Sequence, residues 1–400
     1  MPDFSNSGRL LYVSSADLSI GNGPGVNELE FVMAMHKAAN DRVHFLLPEP
    51  AGELPPGVPK EACTFCHPHK SHHPYHFWRH TVSQARAMRR LLADHRPDLI
   101  VCRVDVLPFG LLWVTRRTKV PYVIKTLGRG AIQVLRDRGG GLGRLLQGLN
   151  KRLFQSIVSG AQMADSCSEL HVGYFQELLD LPDDRVVWID NAVNTDRFRP
   201  RPKEEARKAL GLSGFDPVVG YVGSRPWERG GAQLVEVAPR LAEKYPDIGF
   251  VIVGKGAQVE EMRTRAKELG VEDRIRFEGY VPFAKIPTYV GSLDVGVSIS
   301  IPHERQVNSE LKVRQYLASG KPIVISPGGN EFVPREGFGS VVEPLDLDAI
   351  AEQLDRWLSL PEEERAAFEK RVFEYMHSNL SMDASIARRF ALWDKRLATA

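Results

Sequence analysis

Short apolar runs alternate with segments of helical periodicity along most of this 400-residue chain. Runs of this length that are rich in Val and Ile predict strands buried on both faces. Between them, segments such as SQARAMRRLLADH and QVEEMRTRAKELG carry apolar residues at three- and four-residue spacing, which predicts amphipathic helices. The alternation predicts parallel sheets covered by helices. The runs are LLYVSS, VHFLLP, LIVCR and YVIKT, then VVGYVG, FVIVG, IRFEGY, VGVSIS and PIVISP.

The pattern restarts near VVGYVG, after the polar, proline-containing stretch FRPRPKEEARKALGLSGFDP. A chain of this length also exceeds what one hydrophobic core usually supports. We therefore predict an α/β protein with two Rossmann-like domains, residues 1–200 and 201–381. We expect a C-terminal helix at residues 382–400 to pack back on the first domain.

Composition narrows the class of protein. The formal net charge of +2 argues against a bulk nucleic-acid binder. The N-terminus has no basic region followed by an apolar run, and no apolar run approaches the roughly 18 residues of a membrane span, so we expect neither signal peptide nor span. The four irregularly spaced cysteines do not predict a disulfide framework. Together these features predict a cytoplasmic protein.

One segment is strongly basic. From Arg116 to Arg152 there are ten Lys or Arg residues and one acid, Asp137. Two interpretations stay open: a helix packed on the core with a solvated basic edge, or a surface that contacts anionic lipid or a lipid-phosphate acceptor. The second would make the protein peripheral to a membrane. The predicted helix, LGRLLQGLNKRLFQSIV, places on one stripe Leu142, Leu145, Leu146, Leu149 and Leu153.

The stretch GYVGSRPWERGG follows a predicted strand and opens a helix. Gly223 permits a close approach of the backbone, and Arg225 and Arg229 supply cationic donors near a helix N-terminus. Backbone N–H groups there already favour anions, so the pair suits a diphosphate. The alternative is a capped surface turn whose arginines are merely solvated.

Two further stretches of the second half suggest a ligand site. FVIVGKGAQ predicts a strand that runs into a Gly-x-Gly turn at Gly254 and Gly256, which is a weak signal alone. NSELKVRQYLASGKPIVISP carries Glu310, Lys312 and Gln315 ahead of a buried strand.

In the first half, SSADLSIGNGPGVNELEF places Gly21, Gly23 and Gly25 near the start of a helix. The spacing is G-x-G-x-G rather than the G-x-G-x-x-G of nicotinamide-binding proteins. With Glu49 as a ribose ligand, a dehydrogenase stays a weak alternative.

Polar residues also follow two predicted strands of the first half. Arg103 and Asp105 end LIVCRVD, and Lys125 and Arg129 lie in YVIKTLGRG. Ligands bind at the carboxyl ends of strands in open α/β sheets, so these residues are candidates for contact with an acceptor. A structural ion pair at a strand end is the alternative.

The stretch CTFCHPHKSHHPYHFWRH has the C-x-x-C spacing of a zinc knuckle at Cys63 and Cys66. Three interpretations stay open: an acceptor-side loop, an inert surface loop and a zinc site. We favour the first, in which His69, His72 and His73, together with nearby aromatic rings, form a surface suited to sugar rings or a lipid headgroup.

The motifs GSRPWERG, VIVGKGAQ, ELGVEDRIRFEGYVP and QYLASGKPIV stand at intervals that resemble those of the retaining glycosyltransferases of family four, which have the GT-B fold. RVVWIDNAVNTDRF and ADSCSEL are similar to further motifs of that family. The resemblance spans roughly residues 160 to 345 and implies two Rossmann-like domains that face a cleft. The first 150 residues match only in layout.

The resemblance implies roles for single residues. Arg229 stands where the family has a Lys that binds the donor diphosphate, and Arg225 is one residue out of register with a common Arg. Gln315 stands at the second glutamate of the E-x7-E motif, and the first would fall at Val307, for which Glu304 or Glu310 could substitute. The remaining donor-side positions are Gly23, Gly25, Gly223, Gly254, Gly256, Tyr280, Val281 and Lys312.

The implied reaction moves a sugar from a UDP- or GDP-linked donor to a hydroxyl of a saccharide or lipid-linked acceptor, with retention, in polysaccharide, lipopolysaccharide or glycolipid biosynthesis. No D-x-D sequence is placed to hold a divalent ion, so we expect no metal and no cofactor. A nucleotide-sugar epimerase is one alternative. A non-catalytic sugar-nucleotide binder is another, because the usual glutamates are replaced.

Overall fold

The computed structural model describes residues 3–20, 23–68, 74–125, 140–301 and 310–398. The chain divides into two compact units. Unit 1 comprises residues 1–190 together with 382–400, and unit 2 comprises residues 191–381.

The described residues of unit 1 form a seven-stranded parallel sheet in the order β3-β2-β1-β4-β5-β6-β7. The order reverses between β1 and β4, which in doubly wound sheets marks the place where ligands bind. The four strands predicted from the first half are confirmed as β1, β2, β4 and β5. The strands are β1 Leu10–Val13, β2 Val43–Pro48, β3 Cys63–Cys66, β4 Leu99–Cys102, β5 Tyr122–Ile124, β6 Ala164–Ser166 and β7 Val186–Trp188.

Helices cover this sheet and bury their apolar faces against it. Those among the described residues are α1 Gly23–Ala39, α2 Pro74–Asp94, α3 Phe109–Thr115, α4 Gly140–Gly160 and α5 Glu169–Leu179, with α14 Met382–Ala398 from the end of the chain. In α14, Phe390 and Trp393 are buried and Arg389 pairs with Asp165, so this helix belongs to the fold of unit 1.

Unit 2 repeats the arrangement with a six-stranded parallel sheet in the order β10-β9-β8-β11-β12-β13. All five strands predicted from the second half are present. The strands are β8 Val218–Val222, β9 Gly249–Val253, β10 Ile275–Gly279, β11 Val295–Ser298, β12 Ile323–Ile325 and β13 Gly339–Val341. The helices among the described residues are α6 Lys203–Leu210, α7 Gly231–Lys244, α8 Val259–Glu268, α9 Ile286–Gly291, α10 Leu311–Ala318, α11 Phe332–Arg335, α12 Leu347–Leu358 and α13 Glu362–Leu380.

The division after Asp190 precedes the polar stretch in which the sequence suggests a boundary near residue 200. The reason is packing. Val193 and Phe198 are buried in the core of unit 2, and the Val193 N–H donates to the Leu380 carbonyl at 2.9 Å. The chain therefore joins unit 2 before the proline-containing stretch begins.

Candidate functional site

The loop after β8 places two arginines at the carboxyl edge of the sheet of unit 2. Arg225 adopts a positive φ of 56°, and Arg229 lies just before α7. The carbonyl of Arg229 accepts from the Ile299 N–H at 3.1 Å, and the carbonyl of Glu228 accepts from the Ile301 N–H at 3.0 Å. These bonds fix the loop against the segment that follows β11, across the point where the strand order reverses.

A carboxylate lies between two cations at this edge. The Arg229 guanidinium donates to one oxygen of Glu310, and the Ser298 hydroxyl donates to the other. The ammonium of Lys312 lies 3.6 Å from Glu310 Oε2. The side chains of Arg229, Glu310 and Lys312 are each 12% exposed. We call these four residues the Glu310 cluster.

Lys312 is held beneath the loop. Its ammonium donates to the Tyr221 hydroxyl at 3.2 Å and lies 4.7 Å from the centroid of that ring. Burial, with Arg229 and Arg225 nearby, lowers the pKa of Lys312 well below its ordinary value. An arriving diphosphate would favour the protonated ammonium, so Lys312 gains a proton more readily when an anion binds.

The glycines of the β8 and β9 loops allow these loops to touch. Gly254 has a φ of 138°, and a Cβ there would lie 2.0 Å from the Gly223 carbonyl oxygen. A Cβ on Gly223 would lie 3.0 Å from Lys312 Cε. Gly256 follows in the same β9 loop. A side chain at Gly223 or Gly254 would therefore push the arginine loop away from Lys312.

The turn after β10 presents an aromatic ring at the same edge. Tyr280 is 59% exposed, and the Lys255 ammonium lies 5.0 Å from its ring centroid. Val281 packs against the core of unit 2 and anchors the turn.

Helix α10 carries the last donor-side candidate. Lys312 and Gln315 are three residues apart and so share one face of the helix. The buried Arg314 fixes the helix, because it donates to the Asn330 side chain at 2.8 Å and to the Asn191 carbonyl at 3.1 Å. Glu304 and Val307 lie outside the described residues.

In unit 1 the helix α1 begins at Gly23. Gly23 and Gly25 are therefore in the first helical turn rather than in a loop before it, while Gly21 lies outside the described residues. Backbone N–H groups at the start of a helix favour anions.

Arg103 and Lys125 meet in a buried cluster that the sequence does not predict. Both donate to the carboxylate oxygen Oε2 of Glu28 in α1, at 2.7 Å and 2.8 Å, and the Tyr12 hydroxyl donates to Oε1. Glu28 is fully buried, and the side chain of Lys125 is 3% exposed. The Lys125 ammonium also lies 3.8 Å from the ring centroid of Phe31. We call Glu28, Tyr12, Arg103 and Lys125 the Glu28 cluster.

The electrostatics of this cluster follow from its burial. Burial opposes ionisation of Glu28, but Lys125, Arg103 and the hydrogen bonds outweigh it and hold the pKa of the carboxyl well below its usual range. Burial lowers the pKa of Lys125 to about 8, although Glu28 partly offsets the effect. The side chain of Arg103 is 28% exposed, so only this member reaches solvent to a useful extent.

Asp105 is the remaining acceptor-side candidate among the described residues. Its carboxylate accepts from the Val106 N–H at 2.7 Å, which caps the turn after β4. Glu49, the ribose acid of the dehydrogenase alternative, follows β2 and donates its N–H to the Cys66 carbonyl at 2.8 Å. Outside the described residues lie Arg129, His69, His72 and His73.

The structure contradicts the zinc-knuckle interpretation of Cys63 and Cys66. Both cysteines belong to the edge strand β3, which pairs with β2, and residues three apart in a strand point to opposite faces. Burial raises the pKa of each thiol to about 12. Among the described residues no group of three His, Cys, Asp or Glu side chains could hold a metal ion.

The loop interpretation of the same stretch is wrong at both ends. Residues Cys63–Cys66 form a strand, and α2 begins at Pro74. The segment adds to the open edge of β2 through backbone pairing, which a sequence with little alternation does not reveal.

Comparison with known proteins decides the family. The family model described as Glycosyltransferase Family 4 matches residues 24–197, and the model described as Glycosyl transferases group 1 matches residues 216–359. The chain belongs to the group 1 glycosyltransferases of family 4.

Curated relatives of this family 4 chain align over part of their length. A 2-deoxystreptamine glucosyltransferase of Streptomyces kanamyceticus is 33% identical over 34% of this chain and 35% of that protein. A GDP-mannose-dependent alpha-(1-6)-phosphatidylinositol monomannoside mannosyltransferase of Mycolicibacterium smegmatis is 31% identical over 42% of this chain and 46% of that protein. The chain thus spans less than half the length of these relatives.

Solved structures extend the likeness to the whole fold. A glycosyltransferase from Rickettsia africae has a TM-score of 0.75 at 17% identity, covering 99% of this chain and 100% of that one. The Anabaena protein HepE, in complex with UDP and glucose, has a TM-score of 0.68 at 15% identity, covering 96% and 99%. At such identities the likeness shows the fold alone, which is GT-B.

Sequence reasoning missed three contributors to the two clusters of this family 4 chain. Ser298 ends an apolar strand and Tyr12 lies inside one, so the sequence predicts both as core residues. Glu28 lies with Glu30 among apolar residues in NELEFVMA, and carboxylates within so apolar a helix segment are the signal that could have predicted their burial.

Proposed function

We propose that this chain transfers a sugar from a nucleotide diphosphate sugar to an acceptor hydroxyl, with retention of the anomeric configuration. The observation that carries the proposal is the Glu310 cluster. It sets Arg229 and Lys312 beside a helix N-terminus at the carboxyl edge of β8 and β11, where open α/β sheets bind ligands.

The chemistry follows from the leaving group. Negative charge grows on the diphosphate as the sugar bond breaks, and cations that already point at it lower the barrier. Arg229, Arg225 and the N–H groups of the first turn of α7 supply this stabilisation. Glu310 holds Arg229 in place by a charged hydrogen bond until the diphosphate shares it.

The nucleoside part of the donor fits the turn after β10. The exposed ring of Tyr280 offers a face on which a base can stack, and Gln315 offers an amide to ribose hydroxyls. We propose UDP or GDP as the nucleotide, because HepE was solved with UDP and the mycobacterial relative is named for GDP-mannose. Cationic side chains take the place of a metal in this scheme, and we propose that no metal or cofactor is needed.

Thermal stabilisation tests the donor first. We expect UDP or GDP, but not ADP, to raise the melting temperature, since a ligand that binds only the folded state stabilises it by mass action. EDTA should leave the transfer of sugar unchanged. Conversion of the free nucleotide sugar without any acceptor would indicate an epimerase, and donor binding without turnover would indicate a non-catalytic binder.

We propose further that the acceptor is a saccharide or a lipid-linked sugar, and that unit 1 meets it at an anionic membrane. Three neighbouring helices, α2, α3 and α4, expose large apolar side chains beside arginines. Trp113 is 39% exposed and lies between Arg89 and Arg117, whose guanidinium carbons are 5.3 Å and 4.8 Å from its ring centroid. Leu145 is 70% exposed on α4.

These exposed apolar side chains favour the second interpretation of the basic segment, in which it contacts anionic lipid. The core-facing side of α4 is Phe154, Ile157 and Val158, whereas Leu145 and Leu149 face solvent. Apolar side chains flanked by Lys and Arg suit the interface of an anionic bilayer. No helix within the described residues is long and apolar enough to cross a membrane.

Vesicle binding tests this surface. The protein should bind phosphatidylglycerol-containing vesicles and be released by salt, because screened attractions weaken with ionic strength. Leu145→Ser together with Trp113→Ser should weaken binding at low salt. Equal partition of the wild-type protein to neutral and anionic vesicles would count against the surface.

A further inference from the structure

A serine and a histidine form a hydrogen-bonded pair at the carboxyl edge of the sheet of unit 1. Ser15 follows β1, next to the point where the strand order reverses, and its Oγ lies 3.2 Å from Nε2 of His80 in α2. His80 is 3% exposed, whereas Ser15 is half-buried. The Glu28 cluster and the Glu310 cluster use neither residue.

The surroundings of His80 decide which way the hydrogen bond runs. His80 Nδ1 lies 2.6 Å from the His67 carbonyl oxygen, which can only accept, so Nδ1 carries the proton. In the neutral ring Nε2 is then the acceptor, and the Ser15 hydroxyl donates to it. The Cys66 sulfur lies 3.9 Å from Nδ1, and burial raises the pKa of that thiol to about 12, so it adds no charge.

The hydrogen-bonding capacity that remains on Ser15 Oγ defines the class of ligand. The Gln84 amide donates to Ser15 Oγ at 3.4 Å, which occupies one lone pair. Within the described part of the chain no other group bonds Ser15 Oγ, so one lone pair is left to accept a hydrogen. Donation to His80 also makes Ser15 Oγ a stronger acceptor. A ligand hydroxyl can donate a hydrogen bond to this lone pair. A phosphate brings acceptor oxygens and therefore does not fit.

We propose that Ser15 binds a hydroxyl group of the acceptor substrate, and that His80 is the positioning residue that holds Ser15 as a hydrogen-bond acceptor. The inference rests on the proposed sugar transfer and adds a polyol-recognising residue to it. His80 acts only through Ser15.

Saturation-transfer NMR tests the ligand class directly, with methyl α-glucoside and myo-inositol as probes. We expect binding to the wild-type protein and about a tenfold loss in Ser15→Ala, since one hydrogen bond to a ligand is worth roughly that factor. His80→Ala should lose binding similarly. His80→Gln should retain it, because the Gln amide oxygen can accept from Ser15 in place of Nε2.

A matched control exists in the same unit. His44 Nε2 and Thr64 Oγ1 form an equivalent pair at 2.9 Å, within the sheet rather than beyond its carboxyl edge. Thr64→Ala should leave polyol binding unchanged. Polyol binding that survives Ser15→Ala, or that falls equally in Thr64→Ala, would overturn the inference, as would wild-type protein that binds inorganic phosphate but neither polyol.

Transfer assays then separate this inference from the proposed function. Ser15→Ala should raise the acceptor KM about tenfold and leave the donor KM unchanged. Transfer with an unchanged acceptor KM in this variant would overturn the inference and leave the proposed function standing. Ser15-dependent polyol binding without any sugar transfer would do the reverse.

Discussion

Each unit of this chain places one carboxylate between an arginine and a lysine at the carboxyl edge of its sheet. In the Glu28 cluster the carboxylate is fully buried and Lys125 is 3% exposed, with the ring of Phe31 over the ammonium. In the Glu310 cluster the three ionic side chains are each 12% exposed. The two carboxylates therefore differ in function, because Glu310 reaches solvent and can exchange its partners with a ligand, whereas Glu28 cannot.

The difference begins with the elements that supply the charges. Glu28 comes from the interior face of α1 and reaches residues at the ends of β4 and β5, which ties a helix to two strands. Glu310 stands at the start of α10 and reaches a loop that ends in glycine. We infer that the first cluster stabilises the fold of unit 1 and that the second is built for binding.

The largest expected effect comes from neutralising each carboxylate in turn. Glu28→Gln leaves the buried Lys125 and the partly exposed Arg103 without a counter-charge, and breaking a buried pair in this way costs about 3–5 kcal/mol. Glu310→Gln should cost less, because the Glu310 carboxylate is partly exposed whereas the Glu28 carboxylate is fully buried. Urea unfolding of both variants measures the two losses. Equal losses would remove the distinction between the clusters.

These clusters also show which parts of the fold and of the site the sequence predicts. Nine strands follow from their apolar runs, because burial on both faces requires Val and Ile in sequence. Arg103 and Lys125 stand out at strand ends, yet their partner Glu28 lies 75 and 97 positions away. A pairing of that kind depends on strand order, which no local pattern contains.

Most of the strands that the sequence misses lack an apolar run. β3 (CTFC), β6 (ADS) and β13 (GSV) carry polar residues or glycine within three or four positions, so no local pattern marks them as buried strands. CTFC reads as a metal knuckle because its two cysteines are conspicuous, whereas the backbone of β2 decides its conformation. At the donor side Arg229 and Glu310 were both singled out, but the ion pair between them was not.

The second prediction concerns turnover. Arg229→Ala should lower the rate of sugar transfer about a hundredfold, because it removes a preorganised donor from the growing diphosphate charge. The fold should persist, since Glu310 keeps Ser298 and Lys312. Steady-state kinetics measures the effect. Arg240→Ala, which breaks an exposed pair with Asp348, is the control that should keep full activity.

The third prediction uses pH to separate the clusters. The pKa of Lys125 is about 8 in the folded protein, lowered from an ordinary value of 10.5, so between these values the unfolded chain binds the extra proton. Stability contributed by this group therefore rises with pH through that window, by up to about 1.4 kcal/mol per pH unit. Lys125→Met should lose this part of the slope in urea unfolding at pH 8 to 10.

The buried lysines of unit 2 do not interfere with this comparison of the pH dependence of stability. Burial also lowers the pKa of Lys312 and of Lys321, and both contribute slopes of the same sign. They contribute equally to the wild-type protein and to Lys125→Met, so the difference between the two profiles reports Lys125. Identical profiles would show that Lys125 keeps its ordinary pKa in the fold.

The smallest expected effect tests whether Glu310 competes with the ligand. Glu310→Gln keeps the size of the side chain and can still accept from Ser298, but it removes the charge that opposes a diphosphate beside Arg229. UDP should bind about fivefold more tightly, which matches the roughly 1 kcal/mol that a partly exposed ion pair contributes. Isothermal titration calorimetry at constant ionic strength measures the change.

A control must separate local competition from the change in net charge. Glu236→Gln alters the charge of unit 2 by the same amount, but its carboxylate pairs with Arg265 of α8. This variant should bind UDP as the wild-type protein does, because charges on the solvent-exposed surface are screened within about 10 Å.

Weaker UDP binding by Glu310→Gln would show that Glu310 itself accepts hydrogen bonds from the donor. The carboxylate would then take the part of the glutamate that falls at Val307 in the family motif, and the Glu310 cluster would be a direct ligand contact.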